Sequence, residues 1–112
     1  MSIFPRDFLD PPRIDFKRIN SVALFNSLPI LRRLLPDGRI QKNEYLAKNP
    51  KRPDRNIGSF KINLKTGKWA DFATGDRGCD LISLVAFIQG VSQSEAARLL
   101  ASMLGIPAEV QR

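Results

Sequence analysis

Residues 58–73 read Gly-Ser-Phe-Lys-Ile-Asn-Leu-Lys-Thr-Gly-Lys-Trp-Ala-Asp-Phe-Ala, and this stretch decides the fold. Phe60 and Ile62 alternate with polar neighbours, which is the period-two pattern of a half-buried strand. After a turn, residues 68–73 predict a second short strand. The apolar segment over residues 81–89 is too long for a typical strand. The sequence therefore predicts a β-hairpin that leads into a helix.

The hairpin can form in two registers. A two-residue turn pairs Leu64 with Trp69 and places the Asp71 carboxylate under the sheet. A three-residue turn that ends with Gly67 in the left-handed conformation sets Lys61 opposite Asp71 on the outer face. We prefer the second register because it separates polar from apolar residues better, and it predicts that Trp69 faces solvent among lysines. The alternative is that Trp69 belongs to the core, as large aromatic residues usually do.

The predicted core joins the inner face of this hairpin to the helix that follows it. Its members are Phe60, Ile62, Leu64, Phe72, Leu81, Leu84 and Val85. Asp80 is the predicted N-cap of a helix over residues 81–89, and Gly90 is its predicted C-terminal stop. Ser92 and Glu95 have the spacing of a capping box, which opens a further helix that ends at the Gly-Ile-Pro sequence.

The N-terminal half carries weaker patterns. Residues 1–13 contain three prolines and predict an extended arm or linker. A helical pattern begins at Ile14 and is interrupted by Pro29, which favours a second short helix over residues 29–35. Residues 39–47 favour a weak strand or an irregular hairpin.

Length and composition limit the class of protein. A chain of 112 residues predicts one domain, which we place at residues 14–106 with a C-terminal tail over residues 107–112. No apolar run approaches about 20 residues, and the N-terminus lacks the pattern of a secretory signal. We therefore expect no membrane association and a cytoplasmic location. One cysteine and no histidine exclude an intramolecular disulfide, a Cys/His zinc site and histidine-dependent catalysis.

The net charge of +7 is concentrated in one segment. Seven basic residues and one acid, Asp54, lie between Lys48 and Lys68. A polyanion is the natural partner of such a segment, although a solvated face is the alternative. The predicted single-stranded DNA site consists of Lys48, Lys51, Arg52, Arg55, Lys61, Lys65, Lys68 and Trp69. The cations would neutralise phosphates and the indole would stack on a base, without a groove-reading helix.

Catalytic and metal-binding interpretations are weaker. Asp71, Asp76 and Asp80 could hold a divalent cation through oxygen, but they lack the spacing of a calcium loop. Gly75 and Gly78 precede a helix as in a phosphate-binding loop, yet the Lys-Ser/Thr pair that should follow is missing. We therefore expect no catalytic residues, no metal and no cofactor.

The order loop, strand, turn, strand, glycine-rich knuckle, apolar helix and second helix resembles the N-terminal zinc-binding domain of bacterial and phage replicative primases. The version on primase-helicase proteins of phages and integrated mobile elements is most similar. In that family a Cys-Pro-x-His element precedes a Ser-Phe strand, and a Cys-x-x-Cys knuckle with Gly-Gly-Asp follows. Here residues 49–52 stand at the first ligand pair, while Asp71 and Thr74 lie near the second. Gly58-Ser59-Phe60 matches the strand and Gly78-Cys79-Asp80 matches Gly-Gly-Asp.

The resemblance covers roughly residues 43–106, and all the zinc ligands are absent. It implies an α+β fold in which a small antiparallel sheet, a zinc-ribbon-like hairpin without zinc, is packed by two to four helices. It also implies a non-catalytic, single-stranded DNA-binding module or accessory protein in primase- or helicase-driven replication of a phage or mobile element. A primase, helicase or polymerase subunit would be its protein partner. The alternative function is an adaptor that docks on such an enzyme without contacting DNA.

Overall fold

In a computed structural model, the residues described are 13–51 and 58–111. They form four helices, α1 (Phe16–Phe25), α2 (Ser27–Leu34), α3 (Leu81–Gln89) and α4 (Gln93–Leu104). The strands between the two helix pairs are β1 (Arg39–Gln41), β2 (Glu44–Ala47), β3 (Phe60–Asn63), β4 (Trp69–Asp71) and β5 (Arg77–Gly78). This arrangement confirms the predicted α+β class with a small antiparallel sheet.

The five strands form one sheet in chain order, and every neighbouring pair is antiparallel. The predicted hairpin of β3 and β4 is therefore the centre of a larger sheet. Strands β1 and β2 form a regular hairpin where the sequence favoured only a weak strand or an irregular hairpin, with Lys42 at a φ of 57° in its turn. The segment predicted as a loop after β4 also contains β5, because Asp71 donates its N–H to the Asp76 carbonyl at 2.8 Å and so turns the chain back.

The register of the central hairpin differs from both predicted registers. Phe60 pairs with Asp71 and Ile62 pairs with Trp69. Because side chains alternate between the two faces of a sheet, all four residues lie on one face. That face is buried, so Trp69 and Asp71 belong to the interior and not to the solvent-facing side.

The turn of this hairpin explains the difference, because four residues, 64–67, separate the paired residues. The Asn63 side-chain oxygen accepts the backbone N–H groups of Lys65 and Thr66 at 2.8 and 3.0 Å. Gly67 donates its N–H to the Asn63 carbonyl at 2.8 Å and has the predicted left-handed φ, 80°. The asparagine side chain thus stabilises a turn one residue longer than the one predicted.

The core lies between the inner face of the sheet and α3. Five residues of the predicted core are confirmed as buried, and they are Phe60, Ile62, Leu81, Leu84 and Val85. Leu64 is partly buried against the same cluster. The prediction for Phe72 is wrong, because the observed register turns this residue to the opposite face and leaves it 73% exposed. Trp69, and not Phe72, belongs to the core.

Helices α3 and α4 begin and end where their capping residues predict. The Asp80 carboxylate accepts the backbone N–H of the third residue of α3 at 2.8 Å, and Gly90 ends that helix at a φ of 66°. Ser92 caps α4 in the same way at 3.1 Å. Helix α2 begins at Ser27, earlier than predicted, because Pro29 lies in the first turn, where backbone N–H groups have no intrahelical partner. In the described part of the chain, no helix has the length and apolar character needed to cross a membrane.

The segment after α4 pairs with the segment before α1. Ile14 and Glu109 form an antiparallel bridge. Val110 donates its N–H to the Arg13 carbonyl at 2.7 Å, and Asp15 donates to the Ala108 carbonyl at 2.8 Å. Backbone hydrogen bonds therefore continue past Ile106.

Tyr45 links the sheet to the end of α2. Its ring is buried on the inner face, and its hydroxyl donates a hydrogen bond to the Leu35 carbonyl oxygen at 2.6 Å. A Cβ atom on Gly38 would overlap this ring, so only glycine fits that turn. Burial raises the pKa of the Tyr45 phenol above its ordinary value of 10.0.

We predict that Tyr45→Phe lowers the free energy of unfolding by about 1 kcal/mol at pH 7, through loss of the hydrogen bond. Because the folded-state pKa is raised, the stability that depends on the protonated phenol is present below pH 10 and is lost as the pH rises above it. Urea unfolding at pH 7, 9 and 11 should therefore show the difference between wild type and variant shrinking with pH. A difference that stays constant would contradict the prediction.

Candidate nucleic-acid interface

The sheet has two chemically different faces. Its inner face carries Tyr45, Phe60, Ile62 and Trp69, which pack into the core. Its outer face carries a row that crosses all five strands in register, and this row consists of Arg39, Leu46, Lys61, Ala70 and Arg77. With strands about 4.8 Å apart, the row is about 19 Å long.

Trp69 is not part of the outer face. The residue is 5% exposed, and its ring centroid lies 5.0 Å from that of Phe87 and 5.9 Å from that of Phe60. Its indole N–H donates to the Ser83 hydroxyl at 3.0 Å. The indole ring therefore packs against other aromatic rings inside the protein, and its N–H has a hydrogen-bond partner there. The prediction that Trp69 stacks on a base is wrong.

Phe72 occupies the outer face instead. It directly follows β4 and donates its N–H to the Ser59 carbonyl oxygen at 2.9 Å, which continues the β3–β4 pairing by one residue. The Lys61 ammonium nitrogen lies 5.4 Å from the Phe72 ring centroid, within the range of a cation–π contact. An aromatic ring and a cation are therefore adjacent on the solvent-facing side, as predicted for Trp69 but with a different residue.

The structure brings some of the predicted cations together on this face. Lys61 and Lys68 lie on it, since Lys61 is in the row and Lys68 pairs with Asn63 beside it. Lys48 follows the inward-facing Ala47 and is exposed, and the alternation places it on the same face. Lys65 is exposed in the turn at the end of the hairpin.

Other predicted cations lie elsewhere. The Lys51 ammonium nitrogen is 6.0 Å from the Phe87 ring centroid, on the helical side of the sheet. It also approaches the C-terminus of α3, where a Cβ atom on Gly90 would lie 3.3 Å from it. A cation there stabilises the helix end, so Lys51 has a structural explanation. Arg52 and Arg55 lie outside the described residues.

Sequence reasoning missed three residues of the outer face, Arg39, Phe72 and Arg77. Arg39 and Arg77 are distant from the basic segment in sequence, and only strand pairing places them in line with Lys61. The alternation of polar and apolar residues over 39–41 was a local signal that Arg39 lies on the polar face of a strand. No local signal identified β5, which has two residues, or the exposure of Phe72, which depends on the register.

The charge on the outer face is strongly positive. Its cations are Arg39, Lys61 and Arg77 in the row, with Lys48 and Lys68 beside it. Glu44 lies on the same face, and Asp37 lines a cavity together with Lys48. Within residues 13–51 and 58–111, an ion pair is found only between Arg98 and Glu109, on the other side of the molecule. The cations of the outer face therefore form no ion pair with an acid in the described part of the chain.

The carboxylate of Asp71 is buried on the inner side of the sheet, next to the outward-facing Phe72 in the chain. Asp71 is 0% exposed, and its two oxygens accept hydrogen bonds from the Asn49 side-chain amide at 2.7 Å and from the Ala73 backbone N–H at 2.8 Å. The preferred register avoided burying this carboxylate because a buried charge is costly unless it is hydrogen-bonded. Asn49, which precedes β3 by eleven residues and is itself buried, supplies that hydrogen bond.

The three aspartates considered as metal ligands have separate contacts. Asp71 is bonded to Asn49, Asp76 accepts the Thr74 hydroxyl at 2.8 Å, and Asp80 caps α3. In the portion of the chain that the structure covers, no group of three or more potential ligands is placed to hold a metal ion. Cys79 is an exposed free thiol.

We predict that Asn49→Ala lowers the free energy of unfolding by about 1–3 kcal/mol, because it removes a donor from a buried carboxylate. Lys48→Ala is the matched control, since this adjacent side chain is exposed and should change stability by less than about 0.5 kcal/mol. Urea denaturation followed by circular dichroism measures both. Equal stabilities of the two variants would show that the Asn49 hydrogen bond does not stabilise the fold.

No protein-family model matches the chain, and a search of curated proteins finds no relative.

Proposed function

We propose that this chain is a non-catalytic module that binds single-stranded DNA across the outer face of its sheet. The observation that carries the proposal is the alignment of Arg39, Lys61 and Arg77 in one row, flanked by Lys48 and Lys68. Phosphate neutralisation by lysine and arginine supplies most of the sequence-independent affinity for nucleic acids. A row of about 19 Å suits a strand that runs across the sheet.

A single strand fits this face better than a duplex does. Duplex readout requires an element that enters a groove, commonly a helix or a two-stranded ribbon that projects from the body. The cations proposed to bind DNA lie on the flat outer face of the sheet, where no such element carries them. A flat basic surface can follow a flexible backbone without reading base edges.

The biological setting of the proposal comes from the sequence resemblance to primase zinc-binding domains. We propose that the module acts in cytoplasmic DNA replication of a phage or mobile element, beside or fused to a primase, helicase or polymerase. The proposed role involves no catalysis, and it leaves Asp71, Asp76 and Asp80 in the structural contacts described above.

A protein-interaction adaptor is the second candidate. Phe25 at the end of α1 is 91% exposed, and the adjacent residues Asn26 and Pro29 line a cavity of about 260 Å³ together with Met103 and Leu104. An exposed aromatic side chain beside a cavity with both polar and apolar lining residues is a feature of protein-binding surfaces. Absence of oligonucleotide binding by the wild-type chain would leave this candidate in place of the first.

We predict that substitution of Lys61, Lys68 and Arg77 by glutamine weakens binding of a fluorescein-labelled oligo-dT strand. For single strands, the slope of log affinity against log salt should decrease by about 0.7 for each lost phosphate contact, and hence by about 2 in the triple variant. Fluorescence anisotropy titrations between 50 and 200 mM salt measure this slope. The fold should be retained, because these side chains lie on the outer face.

The matched control substitutes Arg13, Lys17 and Arg33 by glutamine. These residues are exposed on the helical side and carry the same charge, so the net charge falls equally in both variants. The control should keep the wild-type salt slope. An equal loss of affinity in the two triple variants would show that net charge alone attracts the oligonucleotide, and would refute the proposed face.

A further inference from the structure

We infer that Phe72 is a stacking site for one unpaired nucleobase, and that it makes the outer face select single strands over other polyanions. The inference rests on the proposed function, and it goes further by naming the part of the ligand that is recognised and the residue that recognises it. Cations bind any polyanion through its charge, whereas an aromatic ring distinguishes a strand with accessible bases from one without them.

The position of the ring supports this assignment. Phe72 is a large apolar residue that is 73% exposed. The two apolar side chains of the neighbouring row are less accessible, since Leu46 is buried and Ala70 is partly buried. The Lys61 ammonium group, 5.4 Å from the ring centroid, contacts the ring from the side of the cationic row. A base stacked on this ring would therefore have a phosphate-binding cation beside it.

The backbone holds the ring in place. Phe72 itself donates to the Ser59 carbonyl at 2.9 Å. The residues on both sides are fixed by one buried carboxylate, because an oxygen of Asp71 accepts the Ala73 N–H at 2.8 Å while the other accepts the Asn49 amide at 2.7 Å. Because the backbone at this position is already ordered, stacking of a base on the ring costs little conformational entropy.

The chemistry identifies the ligand as a nucleobase of any type. Every base has a flat π face, so stacking on phenylalanine tolerates all four bases. In a duplex these faces are covered by neighbouring base pairs, and exposing one requires unstacking. The Phe72 site therefore favours strands that are already unpaired.

The test compares wild type and Phe72→Ala on two fluorescein-labelled 12-mers with the same number of phosphates. One is oligo-dT, and the other is an abasic strand that lacks every base. We expect wild type to bind oligo-dT about tenfold more tightly than the abasic strand, and Phe72→Ala to bind both with the affinity that wild type has for the abasic strand. Phe72→Tyr, which keeps an aromatic ring, should retain the preference. Because Phe72 is exposed, we expect the variants to fold, and their thermal midpoints serve as the control.

Two results would overturn the inference in different ways. If Phe72→Ala keeps the wild-type preference for oligo-dT, the ring does not stack on a base, although the cationic face remains a DNA site. If wild type binds neither 12-mer, both the inference and the proposed function fail. An exposed Phe72 would then be better explained as a protein contact.

A second measurement uses Phe72→Trp as a fluorescent reporter. The native Trp69 is buried with its N–H bonded to Ser83, so unlabelled oligo-dT should leave its emission unchanged. The introduced indole is expected to be quenched by oligo-dT but not by the abasic strand. Equal responses to the two strands would contradict stacking at this position.

Discussion

The hydrogen bond between Asn49 and the buried Asp71 carboxylate is the constraint on which the rest of the structure depends. A carboxylate inside the protein is strongly unfavourable unless donors satisfy it. Since Asn49 provides one, β4 can pair with β3 in the register that turns Asp71 inward. The same register, which the Asn63 turn also favours, turns Trp69 inward and Phe72 outward. The Asn49 contact therefore helps to place one aromatic residue in the core and the other on the outer face.

The division of the sheet into two faces follows from that register. On the inner side, Trp69 packs on Phe87 of α3 and donates to Ser83, so the sheet and the helix share apolar and polar contacts. On the outer side, the row from Arg39 to Arg77 carries the cations that we propose to bind DNA. The core and the candidate interface are thus the two sides of the same strands, and a residue cannot change sides without a change of register.

The hydrogen bond between Asn49 and Asp71 lies where the resemblance to primase zinc-binding domains places the two pairs of zinc ligands. Asn49 stands in the segment that would carry the first ligand pair, and Asp71 lies near the second. In this chain a buried hydrogen bond joins the two segments. We propose that this contact between an amide and a carboxylate takes the place of the zinc ion that joins the corresponding segments in the domains that the sequence resembles. In this chain the hydrogen bond fixes the loop before β3 against the end of β4.

The sequence by itself determined the elements whose signals are local. The limits of α3 follow from Asp80 and Gly90, and the start of α4 follows from Ser92, because a cap acts on backbone groups within one helical turn. The alternation of buried and exposed residues along β3, and most of the core residues that it contacts, could also be predicted from the sequence. Only the tertiary structure decided the register of β4, the positions of Trp69 and Phe72, and the alignment of Arg39 and Arg77 with Lys61. The register depends on the turn held by Asn63 and on the contact between Asp71 and Asn49, which is 22 residues away. The alignment of Arg39 and Arg77 with Lys61 depends on the pairing of strands that are distant in the chain.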